Sequence, residues 1–174
     1  MKVELRKNIK QRLREMSPVE CKSASQSIWD KLMECNSFKA AHTVLLFWSI
    51  AGEPETHEFI ERISASKRIV LPVVNGNELV LKEYNPSTMV TGAFNILEPG
   101  PSAVTLSPQE IEFAVIPGLA FDLKGRRLGR GKGFYDRLLP QLDCHKAGVC
   151  YACAIVDNVP ADSWDMPVDS VIYA

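Results

Sequence analysis

Eleven consecutive residues carry the densest chemical signal in this chain: Arg127-Leu128-Gly129-Arg130-Gly131-Lys132-Gly133-Phe134-Tyr135-Asp136-Arg137. Alternating glycines let a backbone turn sharply and bring its N–H groups close to a ligand. Arg130 and Lys132 add positive charge where those N–H groups already favour an anion. The segment from Gly133 to about Leu139 reads as a helix limited by Pro140, so a helix N-terminus points at the same place. The pattern is a phosphate cradle, with Asp136 in reach of a metal that phosphates would bring. A basic, solvated glycine turn or an RNA-binding patch is the alternative.

The run fits neither standard nucleotide motif. A phosphate-binding loop of the G-x-x-x-x-G-K-[ST] type fails, because Gly133 follows Gly131-Lys132 and Arg126 stands five residues before Gly131. The glycines at 129, 131 and 133 also miss the G-x-G-x-x-G spacing.

The positive charge is local. Lys124, Arg126, Arg127, Arg130, Lys132 and Arg137 face only Asp122 and Asp136 in that stretch, while the whole 174-residue chain has a net charge of −1. A focused patch on a near-neutral protein suits a small polyanion and argues against a protein that coats nucleic acid. The N-terminus is charged and has no signal-peptide core, and no apolar run is long enough to cross a bilayer. Five cysteines, an odd count without a signal, fit reduced thiols in a cytoplasmic protein. Cys150 and Cys153 spell C-x-x-C inside an apolar run with no second pair, which favours small buried residues over a zinc site.

The elements that must position the cradle follow from periodicity. Leu5, Ile9 and Leu13 mark an amphipathic helix over 2–15. Ser17-Pro18-Val19-Glu20 has capping-box form and starts a second helix to about Cys35. The apolar run 43–50 predicts a strand buried on both faces, ended by Gly52-Glu53-Pro54. A third helix is expected over 57–66, a strand over 69–74, and a hairpin turn at Asn75-Gly76 leading to a strand over 78–84. Residues 86–101 read as irregular. Further strands are expected at 113–117, 149–156 and 170–173, with a turn at 118–122 and a tight loop at Lys124-Gly125. Alternating strands and helices imply a single α/β domain over 1–174, with a mostly parallel mixed sheet and one antiparallel hairpin. Ligands in such folds gather at strand carboxyl ends, where the glycine-basic loop falls.

These residues resemble the 5-formyltetrahydrofolate cyclo-ligase family along nearly the whole chain. The resemblance is carried by the Lys2-x-x-Leu5-Arg6 helix, by 47–56 (Phe47-Trp48-Ser49-Ile50-Ala51-Gly52-Glu53-Pro54-Glu55-Thr56) and by Pro117-Gly118-Leu119-Ala120-Phe121-Asp122. The run 127–137 and Asp165-Met166-Pro167-Val168-Asp169 complete it. It implies a three-layer α/β/α fold and an ATP- and Mg²⁺-dependent ring closure of 5-formyltetrahydrofolate to 5,10-methenyltetrahydrofolate, giving ADP and phosphate. ATP would phosphorylate the formyl oxygen, and N10 would close the ring.

The resemblance also implies site residues. Lys2, Arg6 and 127–135 (Arg127, Leu128, Gly129, Arg130, Gly131, Lys132, Gly133, Phe134, Tyr135) would bind ATP. Trp48, Glu53 and 130–134 would border the folate. Arg130, Lys132 and Tyr135 would be catalytic, and Asp136 and Asp165 would hold the metal, with Asp169 a nearby second choice. Other roles stay open. Lys2 and Arg6 could be a solvated helix flank, Asp136 a first-turn acid, Glu53 a turn acid, and Trp48 a core residue. Many members of the family carry Tyr where this chain has Phe134, so stacking is kept and a hydroxyl is not. The three histidines match no metal spacing and no family motif. A monomer with small-molecule substrates, and no nucleic-acid or membrane partner, is sufficient.

Two readings of other classes compete. A sugar-phosphate isomerase or CoA-transferase on a similar fold would want a carboxylate such as Glu53 or Asp122 opposite the phosphate site. A nucleic-acid module would use the basic run and its aromatics.

Overall fold

A computed structural model describes residues 1–162 and 165–174. The chain runs α1 (Lys2–Glu15), α2 (Pro18–Glu34), α3 (Asn36–Ala40), β1 (Thr43–Leu45), α4 (His57–Ile63), β2 (Arg68–Asn75) and β3 (Glu78–Glu83). It continues with β4 (Met89–Thr91), β5 (Leu97–Pro99), β6 (Thr105–Leu106), β7 (Phe113–Pro117), β8 (Ala120–Phe121) and β9 (Arg127–Leu128). It closes with α5 (Phe134–Leu138), β10 (His145–Cys150) and β11 (Ser170–Tyr173). The main sheet has the order β11-β10-β7-β1-β2-β3-β6, parallel from β11 to β2 and antiparallel beyond.

Strand alternation divides the core into two layers. Leu45, Val70, Ala114 and Ile116 face α1 and α5, packing with Ile9 and Leu138. Val44, Ile69, Leu71, Phe113 and Val115 face α2, α3 and α4, packing with Ile28, Leu32, Phe38 and Ile60. This is the expected three-layer α/β/α arrangement. The capping box also forms: Glu20 N–H donates to Ser17 Oγ (3.3 Å), and Ser17 N–H donates to Glu20 Oε2 (2.7 Å).

Four expectations are corrected. The first strand ends at Leu45 rather than Ile50. Beyond it, side chains replace the ladder: Thr56 Oγ1 donates to the Phe47 carbonyl (2.8 Å) and accepts from Ser49 N–H (2.9 Å). That releases 47–53 from the sheet to wall a cleft. The strand expected over 149–156 lies over His145–Cys150 instead, followed by a 3₁₀ turn at Ala152–Ala154. Gly148 hides that strand in the sequence; a Cβ there would sit 2.4 Å from the Phe121 ring. The hairpin turn is Gly76-Asn77, one residue on from the expected pair, because Asn75 pairs with Glu78. Finally, the stretch 86–101 contains the β4–β5 hairpin.

The chain order of the sheet creates a switch point. From β1 the chain crosses to β2 on one side, and from β7 to β10 on the other. Their carboxyl ends therefore open between diverging connections, the usual place for a ligand crevice.

Candidate functional site

At that switch point lies a cleft of about 410 Å³. Phe47, Trp48, Ile50 and Glu53 form one wall, and Gly129, Arg130, Lys132, Gly133, Phe134 and Tyr135 another. The β2–β3 hairpin supplies a floor of Leu71, Pro72, Val74 and Leu79, and the β4–β5 hairpin a third wall of Phe94, Ile96, Leu97 and Glu98. A wider cavity of about 780 Å³ lies behind 49–53, over Ser25, Trp29 and Tyr151. The first cleft gathers the glycine loop.

The loop is shaped by backbone that only glycine adopts readily: Gly131 has φ +101° and Gly133 φ +71°. Among the described residues, the N–H groups of Gly129, Gly131 and Gly133 have no protein acceptor. They are free for an anion. The helix after the loop, α5, has only five residues, so the expected contribution from its N-terminus is small, and the loop N–H groups and cations carry the site. Arg137 braces the loop, donating to the Lys132 carbonyl (3.1 Å) and from Nε to the Asn77 carbonyl (2.8 Å).

Arg6 donates from Nε to the Gly129 carbonyl (2.9 Å), so α1 packs its cationic face on the loop. Lys2 Nζ pairs with Asp162 (2.6 Å) and Asp165 (3.0 Å). Those hydrogen bonds, Asp162 first, raise the Lys2 ammonium above its ordinary value. Burial pushes the Asp165 carboxyl up, but the Asp162 N–H, Lys2 and the nearby Arg127 guanidinium outweigh it and leave it lowered. Arg127 is nearly enclosed, donates to Asp136 Oδ1 (2.5 Å) and lies over the Tyr135 ring (5.4 Å). Thus Asp136 and Asp165 both come under Arg127's charge. Their oxygens suit a hard cation such as Mg²⁺. Among the described residues no three His, Cys, Asp or Glu side chains converge, so such an ion would need phosphate oxygens to complete its shell.

On the opposite wall Glu53, 9% exposed, accepts from Arg130 Nε (3.1 Å) and from Ile50 N–H (3.1 Å). Burial raises its carboxyl above the ordinary value, against Arg130 and the Ile50 N–H. Burial, with the Glu53 charge, also raises the Tyr135 phenol, keeping it protonated. Trp48 stacks on His57 (centroids 4.1 Å apart, planes at 15°), whose Nε2 lies 3.1 Å from the Ser49 carbonyl. His57 carried no sequence signal beyond its type.

Besides His57, two contributors were missed. The β4–β5 wall was hidden in an irregular-looking stretch; Lys132 Nζ lies 5.8 Å over the Phe94 ring, and Phe94 has φ +59°. Asp162 follows no motif. Asp122 proves to be a scaffold rather than a free base. Fully buried, it accepts from Arg126 Nε (2.6 Å) and from the N–H groups of Lys124 (3.0 Å), Arg126 (3.1 Å) and Val159 (2.9 Å). That set locks the turn between β8 and β9 and leaves no role for Asp122 opposite a phosphate.

Fold and site together define an α/β domain whose switch-point cleft joins an anion cradle to an aromatic slot carrying carboxylates. Known proteins share this fold. The model of the 5-formyltetrahydrofolate cyclo-ligase family matches residues 1–174. The 5-formyltetrahydrofolate cyclo-ligase of Escherichia coli K12 is 34% identical over 173 residues, covering 94% of this chain and 95% of that protein. The Aquifex aeolicus 5,10-methenyltetrahydrofolate synthetase superposes with a TM-score of 0.91 at 36% identity, over 99% of this chain and 89% of that one. The Mycoplasma pneumoniae 5,10-methenyltetrahydrofolate synthetase gives 0.80 at 27% identity, over 98% and 97%. This chain belongs to the 5-formyltetrahydrofolate cyclo-ligase family and is an enzyme of the ligase class.

Proposed function

We propose that the protein converts 5-formyltetrahydrofolate to 5,10-methenyltetrahydrofolate, consuming ATP with Mg²⁺ and releasing ADP and phosphate. The observation that carries this reading is the Arg130–Glu53 pair, which bridges the anion loop and the aromatic wall within one cleft. Transfer between two substrates requires that they share such a boundary.

A formamide oxygen is a poor leaving group, and phosphorylation of that oxygen corrects this. N10 then attacks the activated carbon and gives up its proton, and the carbon–oxygen bond breaks as phosphate departs with its electron pair. Phosphoryl transfer is catalysed mainly by positioning and charge neutralisation. Arg130, Lys132 and the free N–H groups of Gly129, Gly131 and Gly133 hold the phosphates. Arg6 and Lys2 extend the cationic rim, and Phe134 borders the nucleotide, while Leu128, buried in the core and absent from the cleft wall, anchors the start of the loop. Arg127, nearly enclosed, fixes Asp136 and Tyr135. Trp48, Glu53 and residues 130–134 take the folate. Asp136 and Asp165 would hold Mg²⁺, whose charge would offset that of the phosphates.

The test follows the absorbance of methenyltetrahydrofolate with purified protein and 5-formyltetrahydrofolate. A rise that requires both ATP and Mg²⁺ is expected. Folate binding without any rise would mean altered chemistry; no binding would overturn the assignment.

A further inference from the structure

Glu98 occupies an unusual seat in the same cleft. It lies on β5 and lines the third wall, half-buried. Gly92, across the β4–β5 hairpin loop, makes room for it: a Cβ there would lie 1.9 Å from Glu98 Cδ and 2.2 and 2.3 Å from its two oxygens. Gly92 is not in the left-handed region, so the missing side chain serves space rather than backbone conformation. The Gly92 N–H donates to the Ile96 carbonyl (2.8 Å) and fixes the loop that carries the seat.

Among the described residues the Glu98 carboxylate has no hydrogen-bond or ion-pair partner. Lys82, the cation that acts on it, donates to the Gly100 carbonyl (3.2 Å) and forms no ion pair with Glu98 among the described residues. A half-buried carboxylate without a partner costs stability. Glu53 differs, because each of its oxygens already has one protein partner, Arg130 on one and the Ile50 N–H on the other, so it has acceptor capacity left but no free oxygen pair. Of the cleft's carboxylates, Glu53 and Asp136 are paired with arginines and Glu98 is seated without a partner among the described residues.

We infer that Glu98, seated over Gly92, is the bidentate acceptor for the adjacent donors of the substrate's pterin ring, its 2-amino group and N3–H. This deepens the proposed function and rests on it. A flat ring with two neighbouring N–H donors matches the two oxygens of one carboxylate. The remaining wall is apolar or aromatic, as a ring face requires. Glu98 acts in binding and orientation and takes no part in the phosphoryl step.

The test measures equilibrium binding of 5-formyltetrahydrofolate, and of its 2-desamino-2-methyl analogue, to wild type and to Glu98→Gln, without ATP. Wild type should prefer the natural ligand by roughly 10- to 100-fold, the scale of charge-assisted hydrogen bonds. Glu98→Gln should lose most of that preference, with KM for folate raised, KM for ATP unchanged and the melting temperature equal or higher. A structural role would lower the melting temperature and leave the preference intact. Equal binding of the two ligands to wild type overturns the inference whatever the variant does. So does an undiminished preference in a folded Glu98→Gln. If wild type binds and converts the folate in either case, the ligase assignment stands and only Glu98's role falls. If wild type does not bind 5-formyltetrahydrofolate at all, both fall together.

Discussion

Arg130 donates from Nε to Oε1 of Glu53 at 3.1 Å, joining two segments 77 residues apart across the cleft. The pair is asymmetric: Glu53 is enclosed and Arg130 is partly open to solvent. Removing the charge of Glu53 therefore leaves the arginine hydrated and able to hold a phosphate. Glu53→Gln should weaken 5-formyltetrahydrofolate binding by about 10-fold, the worth of one charge-assisted hydrogen bond, and leave ATP affinity unchanged. Titration with each substrate alone checks this. A fall in ATP affinity would place Glu53 on the nucleotide side.

Lys132 is exposed and has no carboxylate partner among the described residues; its ammonium faces the Phe94 ring. Its charge is available to a transferring phosphoryl group. Lys132→Ala should lower single-turnover rates roughly 10²-fold, the scale of losing one preorganised donor. Near-normal turnover would remove Lys132 from the chemical step.

Asp165 sits between Lys2 and the charge of Arg127. On the proposed metal site, Asp165→Asn would neutralise one of two carboxylate donors and should raise the Mg²⁺ concentration needed for half-maximal activity about 10-fold or more, a loss of charge on a hard cation. High Mg²⁺ should restore much of the rate. Activity unresponsive to added Mg²⁺ in the variant would argue that Asp165 acts only through Lys2.

Asp122 governs stability. Burial pushes its carboxyl up, but the Val159, Arg126 and Lys124 N–H groups and the Arg126 side chain outweigh burial and lower it. A carboxyl whose folded value is lowered stabilises the fold above its unfolded value, near 3.9, and that contribution is lost as pH falls toward the folded value. Asp122→Asn should destabilise the protein by about 3 kcal/mol at neutral pH, because a buried network loses its charge. It should also flatten the decline in stability below about pH 4. Urea denaturation across pH would show an unchanged acid limb if Asp122 were incidental.

The layers and the cradle were legible because they rest on local signals: the Leu5/Ile9/Leu13 spacing, the Ser17/Glu20 box, and glycines alternating with cations. What stayed hidden was non-local. Thr56 stands in for a strand partner of Phe47 and Ser49, and no periodicity reports that. The β10 strand begins with His145 and Lys146 and contains Gly148, a poor strand pattern that only the Phe121 ring explains. The Glu98 seat depends on Gly92 six residues away, which reads in sequence as loop punctuation. The charged residues of the cleft announced themselves; those that make space in it did not.

Tyr135 tests what the aromatic pair contributes. Phe134 has no hydroxyl to offer, so Tyr135 holds the pair's single phenol, and burial beside Glu53 keeps it protonated. A phenol raised above its ordinary value acts at neutral pH as a hydrogen-bond donor and not as a base. Its ring, under the Arg127 guanidinium, also packs the loop, and phenylalanine would keep that contact. Tyr135→Phe should therefore lower kcat by about 10- to 100-fold, the cost of one donor to developing charge, with little change in the melting temperature. The pH–rate profile between 6 and 9 should keep its shape, because the lost group does not titrate there. A basic limb present in wild type and absent in Tyr135→Phe would show instead that the phenol ionises during turnover. An unchanged kcat would reduce the pair to a stacking surface, which Phe134 already supplies.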